Sequence, residues 1–250
     1  MLNNVNLQNL FLINGVSRSG NHCIIEWIQS HCQPCFFINN IHLEESNENF
    51  IQSKHRRKFY AGEYKRFAEE NEEKRSLVFS YENRHIKNWS KLKYNLSPRR
   101  MYRVIIIRDF YNLMASVCKR FITKYNDDHE RVSMRIPQHK KAWINHARHV
   151  LSSDDYIVIY YDKWVIDKDY RAEIAKTFNQ TLNDTTINSV ANFNGGSSFD
   201  HLHHLNQAQD MNVLNRYETI KDHPVVKHFC NNKRCRRFNN ALREKFGMDM

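Results

Sequence analysis

The sequence predicts an α/β protein, a single domain over residues 1–250 with a central, mostly parallel sheet flanked by helices. Three observations carry that prediction. Short apolar runs rich in β-branched and aromatic residues alternate with longer stretches of helical period, as strands buried on both faces do when crossover helices link them. At 41% hydrophobic and 12% aromatic, 250 residues fill one large core. With only 6 Gly and 4 Pro there is no flexible linker, fixed-period repeat or low-complexity tract to divide it.

The first strand is "NLFLIN", and the stretch "INGVSRSGNH" (Ile13 to His22) turns it into a helix near 20–32. Gly15 and Gly20 have the spacing of the first two glycines of a P-loop, G-x-x-x-x-G-K-S/T, but Asn21 and His22 stand where the lysine and the hydroxyl belong. The turn is therefore P-loop-like. Backbone N–H groups of residues 18 to 22 fall at a helix N-terminus, where orphan donors and the helix dipole favour a phosphate. No hydroxyl follows Gly20 to hold magnesium, and the positive charge sits three residues back, at Arg18.

The second strand, "PCFFIN", is followed by His42 and a helix near 55–75. The third, "SLVFSY", ends at Glu82 with His85 one short turn later. Between Glu82 and Asp109 the chain has eight basic residues and no acid, a positive field around that carboxylate. The fourth strand, "YRVIIIR", delivers Arg108. Asp109 is the expected N-cap of a helix near 109–123, which puts Ser116 about two turns in, so that a strand-end cation and a helix hydroxyl converge on one anion. A helix near 137–152, the fifth strand "DYIVIYY" with Asp162 beyond it, and helices near 168–179 and 233–246 complete the order. Ligands in such a sheet bind beyond the carboxyl ends of the strands, where all these polar residues fall.

Two of these stretches resemble the donor-binding motifs of one family, the sulfotransferases that use 3′-phosphoadenosine 5′-phosphosulfate (PAPS). "SRSGNH" is similar to the family's 5′-phosphosulfate loop, and "RDFYNLMAS" to its 3′-phosphate signature R-D-P-x-x-x-x-x-S, with Phe110 replacing the proline. The resemblance implies a P-loop-like sulfotransferase fold. Arg18 would lie on the phosphosulfate, Ser19, Gly20, Asn21 and His22 around the 5′-phosphate, and Arg108 with Ser116 on the 3′-phosphate. Asn21 and His22 depart from the family's two threonines, though both still donate hydrogen bonds. "IVIYYDKWVIDKDYRAEIAKTFN" is similar to the family's strand, acidic turn and helix, with Asp162 in the acidic place. "NGGSSF", residues 194–199, would bring Ser197 and Ser198 to the 3′-phosphate. The family takes its general base from the end of the third strand; here Glu82 ranks first, then His42, then His85.

The implied reaction moves a sulfuryl group from PAPS to a hydroxyl or amine of a small molecule, sugar or peptide and releases 3′-phosphoadenosine 5′-phosphate (PAP), with no metal. A net charge of +11 fits an anionic ligand. The other readings are a P-loop small-molecule kinase, which lacks its Lys-Ser/Thr pair here, and a nucleic-acid-binding protein. The second rests on the last thirty residues, where eight Lys and Arg meet three Asp and Glu, yet "NNKRCRRFNNALREKF" also reads as an amphipathic helix with a solvated face. We expect no nucleic-acid or membrane partner. No stretch reaches the roughly 18 apolar residues of a membrane span, and no secretory signal opens the chain, so a cytoplasmic protein is expected. The six cysteines are expected as reduced, apolar thiols rather than a disulfide framework or a zinc site.

Overall fold

Alternate residues along each strand face opposite ways, and here both faces are apolar, so the sheet is covered by helices on each side. A computed structural model describes residues 7–40, 75–90, 97–187 and 211–248. Strands β1 (Leu7–Gly15), β2 (Cys35–Ile38), β3 (Arg75–Glu82), β4 (Arg100–Ile107) and β5 (Ile157–Tyr160) pair in the order β2-β3-β1-β4-β5. Every pair is parallel. The architecture is thus the single α/β domain that the sequence predicts, with a sheet parallel throughout the described residues.

Phe11 and Ile13 of β1 pack in one layer with Ile24, Trp27 and Ile28 of α1 (Asn21–His31) and with Trp164 and Ile174 of α5 (Tyr161–Ile166) and α6 (Lys168–Thr177). Leu10 and Leu12 face the other layer. It is built from α3 (Phe110–Lys124), α4 (His129–Ser152), α8 (Pro224–Cys230) and α9 (Lys233–Lys245). Two shorter helices add to this second layer: α2 (Ile86–Trp89) follows β3, and α7 (Arg216–Ile220) packs on α3.

Helix α4 begins eight residues before the expected start at 137. Asp128 caps it, accepting from the Arg131 N–H at 3.1 Å, and Pro137 lies in its interior. A proline there removes one backbone bond and costs about 3 kcal/mol. Burial of Val132 and Ile136, at about 1.5–3 kcal/mol each, offsets that cost and extends the apolar stripe of Trp143, Ala147 and Val150 towards the N-terminus. The expected helix near 55–75 lies outside the described residues, save Arg75, which opens β3. No helix among the described residues is long and apolar enough to cross a membrane.

Candidate active site

The sheet register sets the site. Gly15 is opposite Glu82 on one side and Ile106 on the other, so the ends of β3, β1 and β4 lie abreast. The chain leaves β1 towards β2, returns through β3 and then crosses to β4, which makes the end of β1 the switch point where ligand crevices form.

The turn after β1 is held tightly. Ser19 N–H donates to the Val16 carbonyl at 3.1 Å, with Arg18 in the left-handed region at φ 76° and Gly20 at φ 81°. Asn83 clamps the turn to β3: its N–H donates to the Gly15 carbonyl and its Oδ1 accepts from the Ser17 N–H, both at 3.0 Å. The two glycines are required by contact as well as by spacing. A Cβ on Gly15 would overlap Asn21 Oδ1, and one on Gly20 would overlap the Tyr161 ring. Gly20→Ala should therefore cost about 2–5 kcal/mol, from the left-handed backbone and the overpacked ring together. Urea unfolding measures this, and a loss below about 1 kcal/mol would rule out the close approach.

Helix α1 starts at Asn21 with no side-chain cap on its first turn. The Ser19 hydroxyl is fully buried, and its Oγ has no hydrogen-bond partner among the described residues. Asn21, in the place of the P-loop lysine, turns inward instead of towards the mouth of the turn. Its Nδ2 donates to the Val16 carbonyl at 3.2 Å and to Glu82 Oε1 at 3.3 Å. His22 lies edge-on to Phe37 at 6.4 Å. Burial lowers its pKa, with Glu82 and Glu26 opposing. Burial, reinforced by Arg120 and opposed by Glu82, lowers the Arg18 guanidinium to about 10, so it stays charged at neutral pH.

A second cluster lies one strand away. Arg108 is 1% exposed, and its guanidinium lies 4.9 Å from the centre of the Tyr161 ring that also packs on Gly20. Nη1 donates to the Arg18 carbonyl at 3.2 Å and approaches Ser116 Oγ at 3.5 Å, Nη2 donates to the Val213 carbonyl, and Nε has no partner among the described residues. From α7, Arg216 Nη1 donates to the same Ser116 Oγ at 3.2 Å. Two guanidiniums thus meet on one fully buried hydroxyl. The pairing of Arg108 with Ser116 is the expected one. No motif spacing marks Arg216, which packing of α7 on α3 delivers from a hundred residues away.

The backbone under Arg108 is fixed from three helices. Asp109 caps α3 through the Asn112 N–H at 3.0 Å, as expected. Asp162 Oδ2 accepts from the Asp109 N–H at 2.7 Å, and the Trp143 indole N–H donates to the Arg108 carbonyl at 2.8 Å. Burial pushes the Asp162 carboxyl up to about 6, with Arg108 opposing. Asn239 of α9 accepts from the Phe110 N–H at 2.7 Å and donates to Asp109 Oδ2 at 2.8 Å. This explains Phe110: a proline there would lack the N–H that Asn239 engages.

Of the base candidates, Glu82 is at the turn. His85 is exposed and faces α4: its Nε2 lies 2.9 Å from Asn145 Nδ2 and its ring 6.0 Å from His149. Desolvation and the neighbouring His149, Lys87, Arg148 and Lys141 lower its pKa. His42, Ser197 and Ser198 lie outside the described residues. His139 of α4 is buried beside Phe121; burial lowers its pKa most, the charges of Arg120 and Arg18 lower it further, and the Arg135 carbonyl and Glu82 oppose.

No family model matches the chain, and no curated protein matches it in sequence. Solved structures do. The sulfotransferase domain from the olefin synthase of Synechococcus PCC 7002 is similar over 98% of this chain and 96% of its own, with a TM-score of 0.54 and 14% identity. The sulfotransferase domain from the curacin biosynthetic pathway is similar over 98% of this chain and 100% of its own, with a TM-score of 0.55 and 12% identity. The chain has the fold of sulfotransferase domains.

Proposed function

We propose that the protein transfers the sulfuryl group of PAPS to a hydroxyl or amine of a small-molecule, sugar or peptide acceptor and releases PAP. The observation that carries this reading is the convergence of Arg108 and Arg216 on the buried Ser116 hydroxyl, with Arg108 also bonded to the turn that follows β1. One guanidinium thereby links two anion-binding places, as a nucleotide bearing both a 3′- and a 5′-phosphate requires. The two structural neighbours, both sulfotransferase domains, support the same activity.

The residues present fit that donor. The uncapped first turn of α1 and the Ser19 hydroxyl suit a 5′-phosphate, and the Arg108 Nε–H is a buried donor; neither Ser19 Oγ nor Arg108 Nε has a partner among the described residues. Arg18 would hold the charge that develops on the leaving phosphate, in a half-buried place where a fixed cation is worth more than in water. Glu82 ties Asn21, and through it the turn, to β3. Because no hydroxyl follows Gly20, the reaction runs without a metal. All six cysteines are free, in keeping with a reducing, cytoplasmic setting.

Thermal melting tests the reading. A ligand at 100 times its dissociation constant adds about 2.7 kcal/mol, so PAP should raise the melting temperature, equally with and without a chelator. ATP with magnesium and duplex DNA should leave it unchanged. No shift with PAP would overturn the proposal. A magnesium-dependent shift with ATP would mark a kinase, and a shift with DNA that fades at high salt a nucleic-acid-binding protein.

A further inference from the structure

A crevice of about 700 Å³ opens between α3, α7, α8 and α9, a volume suited to a small-molecule ligand. Its walls carry Tyr111 of α3, Tyr217 of α7, Lys227 of α8, and Arg236 and Arg243 of α9. Neither Arg108 nor Ser116 lines it, so it is separate from the cluster they form. The acids in its walls are already engaged. Asp109 accepts from the Asn112 N–H and from Asn239 Nδ2 and stands 3.7 Å from Arg243, while Glu218 pairs with Lys221 at 2.7 Å. Lys227 pairs with Asp222 at 3.0 Å. The Arg236 guanidinium has no ion pair or hydrogen bond among the described residues, and neither has the hydroxyl of Tyr111 or of Tyr217. The two tyrosine rings stand 5.0 Å apart, inclined at 52°. Burial raises the Tyr217 pKa most, with Cys230, Tyr111 and Glu218 adding and Lys221 opposing, so its hydroxyl keeps its proton at neutral pH. An unmatched guanidinium, two open hydroxyls and two ring walls together suit an aromatic ring that bears an anionic oxo group.

The crevice and the Ser116 cluster share a wall. In the stretch from Val213 to Tyr217, the Val213 carbonyl accepts from Arg108 Nη2 and Arg216 Nη1 reaches Ser116 Oγ at 3.2 Å, while Leu214 and Tyr217 line the crevice. Asn112 fastens that stretch to α3: its Nδ2 donates to the Leu214 carbonyl at 2.7 Å, and its Oδ1 accepts from the Tyr217 N–H at 3.1 Å. A helix of five residues is not stable by itself, so α7 keeps its place through such contacts. Resting on the PAPS reading, we propose that the crevice is an effector site for a ring-bearing organic anion. Held by Arg236 and the two tyrosines, the ligand ties α7 to α3 and α9 and so keeps Arg216 on the 3′-phosphate. Effector and PAP favour the same docking of α7, and each therefore raises the affinity of the other by the same factor.

Titration calorimetry on the full chain tests this with phenylphosphonate, a ring-bearing anion that has no group to transfer. Phenylphosphonate should bind, and Arg236→Ala should weaken it by about tenfold or more, as the loss of a charge-assisted contact predicts. Tyr217→Leu should weaken it as well, whereas Arg18→Ala should leave it within about twofold, since the turn after β1 takes no part. Benzamide, which has the ring without the charge, and inorganic phosphate, which has the charge without the ring, should each bind about tenfold more weakly or less. Saturating phenylphosphonate should tighten PAP by about fivefold or more. Arg236→Ala should bind PAP as the parent does without effector and lose that tightening. The proposal is overturned if phenylphosphonate does not bind, if its binding survives Arg236→Ala or is lost in Arg18→Ala, if inorganic phosphate binds as tightly, or if saturation leaves PAP affinity unchanged or lower. A parent that binds phenylphosphonate but no PAP would overturn the donor reading and the effector role with it. A parent that binds PAP but no phenylphosphonate would overturn the effector site alone.

Discussion

Arg108→Ala should weaken PAP binding by about 1.5–3 kcal/mol, roughly 10- to 150-fold, as the loss of a charge-assisted contact to phosphate predicts. The loss should be far smaller for adenosine 5′-phosphate, which lacks the 3′-phosphate. The selectivity matters because Arg108 also bonds the Arg18 and Val213 carbonyls and packs on Tyr161, so its removal loosens the turn as well. A purely structural role would weaken both nucleotides alike. Arg216→Ala should show the same 3′-selective loss, since its Nη1 reaches the same Ser116 hydroxyl. Ser116→Ala should lose about 1 kcal/mol, the worth of one neutral hydrogen bond. Titration calorimetry with the two nucleotides separates these outcomes, and equal losses would show that the cluster does not read the 3′-phosphate.

The sheet was legible because its information is local. Each strand is a short run apolar on both faces, and the polar residue that ends it, Glu82 or Arg108, is next in sequence. The Asp109 cap and the place of Ser116 followed from helix geometry alone. Where the reading fell short, distant parts of the chain decided. The helix expected near 137–152 starts at His129 instead, because burial of Val132 and Ile136 carries α4 past Pro137 towards the N-terminus. Asn21 turns inward because Glu82 and the Val16 carbonyl, brought near by strand pairing, bind its amide. Phe110 broke the motif for a reason held in Asn239, 129 residues away. Arg216 carries no local signal: it lies in a five-residue helix that packing brings to Ser116.

Arg18→Ala should lower turnover by about 10²–10³-fold, the usual cost of removing one group that stabilises charge in the transition state. PAP affinity should fall much less, because the charge matters most as the bond to sulfur breaks. The backbone supplies an independent argument. Arg18 sits at φ 76°, where a side chain costs about 1–2 kcal/mol, and the bonds from Ser19 N–H to Val16 and from Arg108 to the Arg18 carbonyl hold it there. Glycine would occupy that position without strain, so the arginine is kept at the expense of stability, as happens where function needs the side chain. Arg18→Gly should thus melt above Arg18→Ala by the equivalent of about 0.4–1 kcal/mol or more, while both variants lose turnover alike. Arg18→Lys should recover part of the rate by restoring the charge without the fork. Single-turnover rates set beside PAP dissociation constants decide the matter: if rate and affinity fall together, Arg18 binds ground state and transition state equally and the charge-stabilising role is wrong.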